Sequence, residues 1–514
     1  MFAADYAQRI PDAPAIVIAG TGESITYRDY EFRANQLARL FRASGLERGD
    51  HVAFIFENSI TLAVAMAAAE RTGLYFTPVN YHLTGGEASW IVENSTARVV
   101  IISAAMAPIA EELRASSPRV QRWLIASDVA PEGFESLAEA MSAYSGDLVD
   151  DPKLGVAMLY SSGTTGRPKG IQRPMPDGDP REPLPIWKAT AEAYRFREFM
   201  SFLLPGPLYH SGPQATLACA LRCGATVTVM ERFDAERFLG VVDEARVTHS
   251  IVVPTMLNRM LQLSEETKAA YDTSSLEVLI SSAAPCPPSV REGITDWMGA
   301  VLWNNYGNTE AIGGTMCSPE DWAAHPGTVG KAAVGEVRIL DKAGHEVPTG
   351  EVGEVCFSGA GSFVYFGDEE KTASARRTGG ASTSTGDLGY VDNDGFIYLV
   401  DRDAFVIIAG GVNIYPQEIE DLLIGHPAVA DAAVFGVPDD DLGESVMAVV
   451  ELVDPTGSPE EAARLLDEYC LRNIARFKRP RRYEFVERLP RTAVGKLQKK
   501  ELAARYRERP VAGV

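Results

Sequence analysis

The sequence predicts an α/β protein of at least two domains. A large N-terminal domain of parallel sheets covered by helices carries a small β-barrel subdomain, and a small α+β domain follows. Three observations predict this. The chain has 514 residues, too many for one hydrophobic core, and 46% of them are apolar, enough for a large interior. Helix-period and strand-period segments alternate along the early and middle chain, the pattern of parallel βα units. The character then changes twice, near residues 330 and 401.

Tyr30, Ala34, Leu37, Ala38 and Phe41 recur at helical spacing and Gly45 follows as a stop, so residues 27–43 form a helix. Residues 51–56 are a short apolar strand, 60–69 a buried helix and 98–102 another strand. The strand pattern returns at 226–230, 250–253, 278–281 and 301–304. Residues 174–185, rich in proline and acids, form an exposed loop. After Gly330, β-like runs at 335–340 and 351–358 between Gly and Pro turns predict the barrel-like subdomain, over about 330–401. A hairpin-like run, V-D-N-D-G-F-I-Y-L-V, closes it. The remaining stretch, 405–514, is roughly 110 residues and suits an independent α+β domain.

The charge narrows the partners. Lys and Arg total 48 against 70 Asp and Glu, a net charge of −22, which repels nucleic acid and anionic lipid. The first residues carry no secretory signal, and the longest nearly apolar runs, such as 62–69, are too short to span a bilayer. A cytoplasmic protein is expected. Cys219, Cys223, Cys286, Cys317, Cys356 and Cys470 show no C-x-x-C spacing and read as reduced, mostly buried thiols.

The most informative stretch runs from Tyr160 to Gly170, Y-S-S-G-T-T-G-R-P-K-G, after the apolar run 154–159. Its glycines let backbone approach an anion, successive N–H groups can form a nest for phosphate oxygens, and hydroxyls and Lys169 add donors. It is not a Walker A loop, which needs Gly-Lys-Ser/Thr in succession. It resembles the phosphate-binding loop of the adenylate-forming superfamily: acyl-CoA synthetases, carrier-linked adenylation domains and beetle luciferases. Four further segments resemble the same superfamily, in the order it requires. They are P-L-Y-H-S-G-P at 207–213, N-N-Y-G-N-T-E at 304–310, S-T-G-D-L-G-Y at 384–390 followed by Asp401 and Arg402, and P-R-T-A-V-G-K at 490–496.

The resemblance implies ATP as substrate, Mg²⁺ as its metal and coenzyme A as thiol acceptor. It places Ser161, Ser162, Gly163, Thr164, Thr165, Gly166 and Lys169 around the phosphates, with Thr165 in the catalytic set. His210 borders the acyl pocket. Ala283, Ala284 and Pro285 lie along the adenine. Tyr306 stacks on that base, with Asn305 facing its amino group and Gly307 alongside. Thr309 sits by the α-phosphate and Glu310 binds the metal. Asp387 and Arg402 contact the ribose. Lys496 reaches in to neutralise charge during adenylation, and Gly411 lines the pantetheine path. The implied division is an adenylation domain over 1–401, a hinge at 402–404 and a mobile lid domain over 405–514.

Three points stay open in the sequence. Residues 476–482 carry five positive charges that can meet CoA phosphates or form a solvated basic face. Ala404 and Phe405 stand where relatives commonly have a polar pivot and an acid, which points to a slow thioester step or a partner enzyme that completes it. Small residues beside His210 and at Ala311, Gly313 and Gly314 either leave room for a bulky hydrophobic acid, such as a sterol or terpenoid carboxylate, or serve packing. An acyl-CoA ligase is the expected activity. An adenylation-only enzyme, a luciferase-like oxidoreductase and a non-catalytic adenylate binder are the alternatives.

Overall fold

A computed structural model describes residues 3–161, 168–182, 185–402, 405–409, 412–439, 442–454, 457–492 and 497–507. Two sheets dominate the N-terminal part. The first has nine strands, in the order Lys331–Val334, Gly314–Cys317, Leu302–Gly307, Val278–Ser281, His249–Val252, Ser201–Leu204, Thr226–Val229, Pro14–Ile18 and Ser24–Thr26. Its six central strands pair parallel, and antiparallel strands close both edges. The second has six strands, all parallel: Glu135–Ser136, Arg122–Ala126, Val99–Ser103, His51–Ile55, Tyr75–Val79 and Val156–Ala157.

The main core lies between these sheets. It joins Val52, Phe54 and Phe76 of one to Ile16, Phe202 and Val227 of the other through intervening helices. The helix Ile60–Glu70 is buried almost all round, which explains its alanine-rich, non-amphipathic sequence. Ser59 caps it by accepting from the Leu62 N–H. The helix Tyr27–Ala43 packs beside it, with Thr26 as its N-cap. Arg71 and Glu31 cross between the two helices as a buried bidentate pair, at 2.7 and 3.0 Å.

The subdomain expected near 330–401 is a five-stranded antiparallel sheet of Glu336–Leu340, Gly353–Ser358, Ser382–Val391, Arg376–Arg377 and Ile397–Arg402. A three-stranded sheet, Val364–Tyr365, Lys169–Gln172 and Leu159–Ser161, joins it to the phosphate-loop region. A final sheet holds Val412–Ile414, Ile407–Ala409, Gly443–Leu452, Val429–Asp439 and, in parallel, Arg482–Val486. Among the described residues, no sheet mixes strands from before residue 403 with strands from after residue 406.

The six cysteines are free thiols. Burial pushes Cys286 and Cys317 up to about 11, away from reactivity. Among the described residues, no helix is long and apolar enough to cross a membrane.

Candidate active site

The site forms where the parallel strands of the nine-stranded sheet end, the usual place for a ligand crevice in such sheets. Val278–Ser281 runs into Ser282, Ala283, Ala284 and Pro285. Ala283 holds φ = +71°, a left-handed conformation uncommon for a residue with a Cβ. Beside it, Leu302–Gly307 carries Asn305 and Tyr306. The Ser282 hydroxyl donates to Asn305 Oδ1 at 3.1 Å, and Asn305 Nδ2 donates to the Thr315 carbonyl at 3.1 Å, so the amide orientation is fixed.

Tyr306 donates its hydroxyl to Asp387 Oδ2 at 2.7 Å. Asp387 faces Arg402 across an antiparallel ladder, and Arg402 Nε lies 3.0 Å from its Oδ1. Asp387 is buried, so both carboxylate oxygens are held from within the protein. Burial first, and the neighbouring Asp387 next, push the Tyr306 phenol well above its ordinary value. The two residues therefore form a tyrosine–carboxylate pair, a connection that their 81-residue separation conceals.

The turn after Gly307 is tight: the Ala311 N–H donates to the Asn308 carbonyl at 3.1 Å, and Ala311 has φ = +54°. Asn308 Oδ1 is buried and has no hydrogen-bond partner among the described residues. Glu310 accepts from the Tyr365 hydroxyl at 2.8 Å. Lys169 Nζ lies 2.7 Å from Asp368 Oδ2. Lys169 stands opposite Ser161 in an antiparallel strand pair.

His210 is the N-cap residue of the helix Ser211–Leu221, although its side chain makes no capping bond. Its ring lies 4.6 Å from that of Tyr209. Gly313 does not leave acyl space, because a Cβ there would come within 2.0 Å of the Phe357 ring. At Gly314 the nearest obstacle is the Tyr306 carbonyl, at 3.3 Å. The packing reading therefore holds at Gly313.

A cleft of about 870 Å³ brings Ala283–Pro285, Asn305, Tyr306, Asp387 and Arg402 together with the C-terminal part, whereas Lys169, His210 and Glu310 are not among its lining residues. Ala283, Ala284, Pro285, Tyr306, Asp387 and Arg402 line one side, and Gln417, Asp421, Arg491, Thr492 and Leu497 line the other. Two of the following hydrogen bonds, from Gln417 to Asp401 and from Asn258 to Ala430, join the two sides, and the two ion pairs lie within the C-terminal part. Asp401 Oδ2 accepts from the Gln417 N–H at 3.0 Å, at the start of the helix Pro416–Ile424. Asn258 Nδ2 donates to the Ala430 carbonyl at 2.9 Å. Lys499 and Glu420 form a buried pair at 2.7 Å, and Lys499 Nζ lies 5.2 Å from the Phe405 ring. Arg491 grips Asp431 through two bonds of 2.6 Å. Burial pushes Asp421 up to about 7 and also raises Asp401 and Glu420.

Ser162, Gly163, Thr164, Thr165, Gly166, Ala404, Gly411 and Lys496 lie outside the described residues. Thr492 and Leu497, on either side of Lys496, line the cleft. The basic run 476–482 is largely neutralised within the domain. Lys478 pairs with Glu418, Arg479 with Asp467, Arg481 with Asp439 and Arg482 with Glu484. Sequence reasoning missed the turn carrying Tyr365 and Asp368, and also the Asp401–Gln417 and Lys499–Glu420 contacts. No motif marks them; strand pairing and domain docking bring them in.

The sequence model of the AMP-binding enzymes matches residues 3–364, and that of the AMP-binding enzyme C-terminal domain matches residues 418–496. The chain is 32% identical over 523 residues to the fatty acid–[acyl-carrier-protein] ligase ScoC of Streptomyces coeruleorubidus, covering 98% of this chain and 95% of that protein. It is 31% identical over 507 residues to the long-chain-fatty-acid–CoA ligase FadD13 of Mycobacterium tuberculosis, covering 96% of each. The crystal structure of the anthranilate CoA ligase AuaEII with anthranoyl-AMP superposes with a TM-score of 0.85 at 25% identity, covering 98% of this chain and 97% of that one. The chain belongs to the AMP-binding enzyme family. Within it, the chain is an AMP-forming acid–thiol ligase, one of the adenylate-forming enzymes that activate acyl groups with ATP.

Proposed function

We propose that this enzyme activates a hydrophobic, bulky carboxylic acid to an acyl-adenylate and then transfers the acyl group to coenzyme A. The observation that carries this reading is the single cleft joining Ala283–Pro285, Tyr306, Asp387 and Arg402 to the residues flanking Lys496. The substrate class rests on the fatty acid and aromatic acid ligases among the relatives. Gly313 lends it no support.

A carboxylate and the α-phosphate of ATP are both negative, so the obstacle is mutual repulsion. The protein must align them and screen the charge. The adenine lies along Ala283–Pro285 against Tyr306. The Asp387 carboxylate accepts from the ribose hydroxyls, oriented by Tyr306 and Arg402. Thr165 and the other donors of residues 161–166, with Lys169 and Thr309, face the phosphates. His210 borders the acyl group, and Lys496 screens charge between the reacting carboxylate and the α-phosphate. The carboxylate oxygen attacks phosphorus, pyrophosphate leaves, and a mixed anhydride forms. The thiol of coenzyme A, passing Gly411, attacks the acyl carbon and AMP leaves.

Glu310 would hold Mg²⁺. One of its oxygens is bonded to Tyr365, the other has no hydrogen-bond partner among the described residues, and a hard cation suits one carboxylate plus phosphate oxygens. When bound, the ion supplies positive charge to the phosphates.

The proposed division is an adenylation domain over 1–401, a hinge at 402–404 and a lid domain over 405–514. The separation of the sheets and the two family matches on either side of the hinge support it. A second reading, in which a partner completes the thioester, draws on Phe405. Its ring sits beside Lys499, which ties the residue after the pivot to the lid domain's buried ion pair.

The test is a panel of carboxylic acids scored for AMP and pyrophosphate release, with and without coenzyme A. Acid-dependent release with thioester formation is expected for hydrophobic acids. Release without thioester selects the second reading, and no acid-dependent release overturns both.

A further inference from the structure

We propose that Tyr365 is a positioning residue for the metal carboxylate. Its hydroxyl holds one oxygen of Glu310 so that the other is presented to the metal–ATP complex. The inference rests on the reading of Glu310 as the metal residue and deepens it.

The Tyr365 hydroxyl donates to Glu310 Oε1 at 2.8 Å, and among the described residues Oε2 accepts no hydrogen bond. A carboxylate held at one oxygen has lost its rotational freedom but kept one ligand atom. Removing a group that orients a metal ligand in this way typically costs about 10- to 100-fold in metal affinity or activity. Tyr365 is itself fixed. Its strand pairs antiparallel with Lys169–Gln172, setting Tyr365 opposite Ile171, and the Phe366 N–H donates to the Gly170 carbonyl at 2.8 Å. The Tyr365 N–H donates to the Thr372 hydroxyl at 2.9 Å. The ring packs edge-on against buried Phe363, with centroids 5.0 Å apart, and Lys371 Nζ lies 5.4 Å from its centre.

The same turn holds the opposite charge. Asp368, three residues on, engages Lys169 through Oδ2 and caps the following helix through Oδ1, accepting from the Lys371 N–H at 3.0 Å. One short segment, bonded to the strand that leaves the phosphate loop, thus sets a carboxylate and an ammonium beside the phosphate region. Neither tether belongs to the five sequence segments that mark the site.

The experiment measures ATP binding by titration calorimetry without any carboxylic acid, once with Mg²⁺ and once with EDTA. The ratio of the two dissociation constants reports what the metal adds. Tyr365→Phe, which removes only the hydroxyl, should shrink that ratio by roughly tenfold or more while the EDTA constant stays within about threefold. Glu310→Gln should shrink it at least as much. The double variant should be no worse than Glu310→Gln alone, because the two residues act as one unit. If Glu310→Gln collapses the ratio and Tyr365→Phe leaves it within about twofold, the role of Tyr365 is overturned and that of Glu310 stands. If Glu310→Gln leaves the ratio unchanged, the metal reading of Glu310 fails and this inference fails with it. Equal weakening with Mg²⁺ and with EDTA in Tyr365→Phe shows a packing role and also overturns the proposal.

Discussion

Replacing Asp387 with asparagine tests the nucleotide geometry most sharply. Asn has nearly the same shape, so Tyr306 and Arg402 keep a neighbour at 2.7 and 3.0 Å, but the charge is gone. A ribose diol offers two O–H donors to the carboxylate. Hydrogen bonds to a charged acceptor contribute about 1.5–3 kcal/mol each and neutral ones about 0.5–1.5, a difference of about 1–1.5 per bond. Two bonds give about 2–3 kcal/mol, or roughly 30- to 150-fold in kcat/KM for ATP at 1.4 kcal/mol per decade. The assay is acid-dependent exchange of labelled pyrophosphate into ATP, run with ATP and with 2′,3′-dideoxy-ATP. The loss should appear with ATP and nearly vanish with the dideoxy nucleotide, because the hydroxyls that sense the change are absent. A loss below about threefold with ATP, or an equal loss with both nucleotides, would refute the ribose assignment.

Three other perturbations have defined outcomes. Lys496→Ala should slow single-turnover adenylate formation by roughly two to three orders of magnitude, the usual cost of one preorganised charge donor, and a loss under about threefold removes Lys496 from the mechanism. Lys499→Met strands Glu420 in a buried site and should destabilise the C-terminal domain by about 3–5 kcal/mol, whereas Lys499→Met with Glu420→Met should recover most of that in urea unfolding. Asp421 has a folded pKa of about 7, above its ordinary 3.8, so the folded state binds the extra proton. Its contribution is full below about pH 4 and is lost as pH rises through 7, a swing of at most about 4 kcal/mol. Relative to wild type, Asp421→Asn should therefore gain stability between pH 5 and 8 in parallel thermal melts, and a flat difference contradicts the assignment.

Periodicity made the large elements legible. The helix Tyr27–Ala43 begins and ends where the apolar repeat and Gly45 place it, and Val278–Ser281 matches its apolar run. The strand expected at 301–304 runs on to Gly307, because Gly314–Cys317 pairs antiparallel with its far end. That pairing is a tertiary fact outside the local pattern. The site divides in the same way. Short contiguous segments exposed Tyr306, Asp387 and Arg402 one by one. Strand register sets Asp387 against Arg402, and side-chain bonds between different sheets and turns join Tyr306 to Asp387 and Tyr365 to Glu310. Spacing alone left Gly313 ambiguous, and the Phe357 ring against it decided the matter.

The central claim is that the substrate's own carboxylate oxygen attacks the α-phosphorus of ATP. Turnover of a hydrophobic acid labelled with ¹⁸O in its carboxylate, followed by mass spectrometry of the nucleotide, tests it directly. The account predicts one ¹⁸O atom in the AMP released and none in the pyrophosphate. Unlabelled AMP, or label in any other phosphorus product, would contradict it.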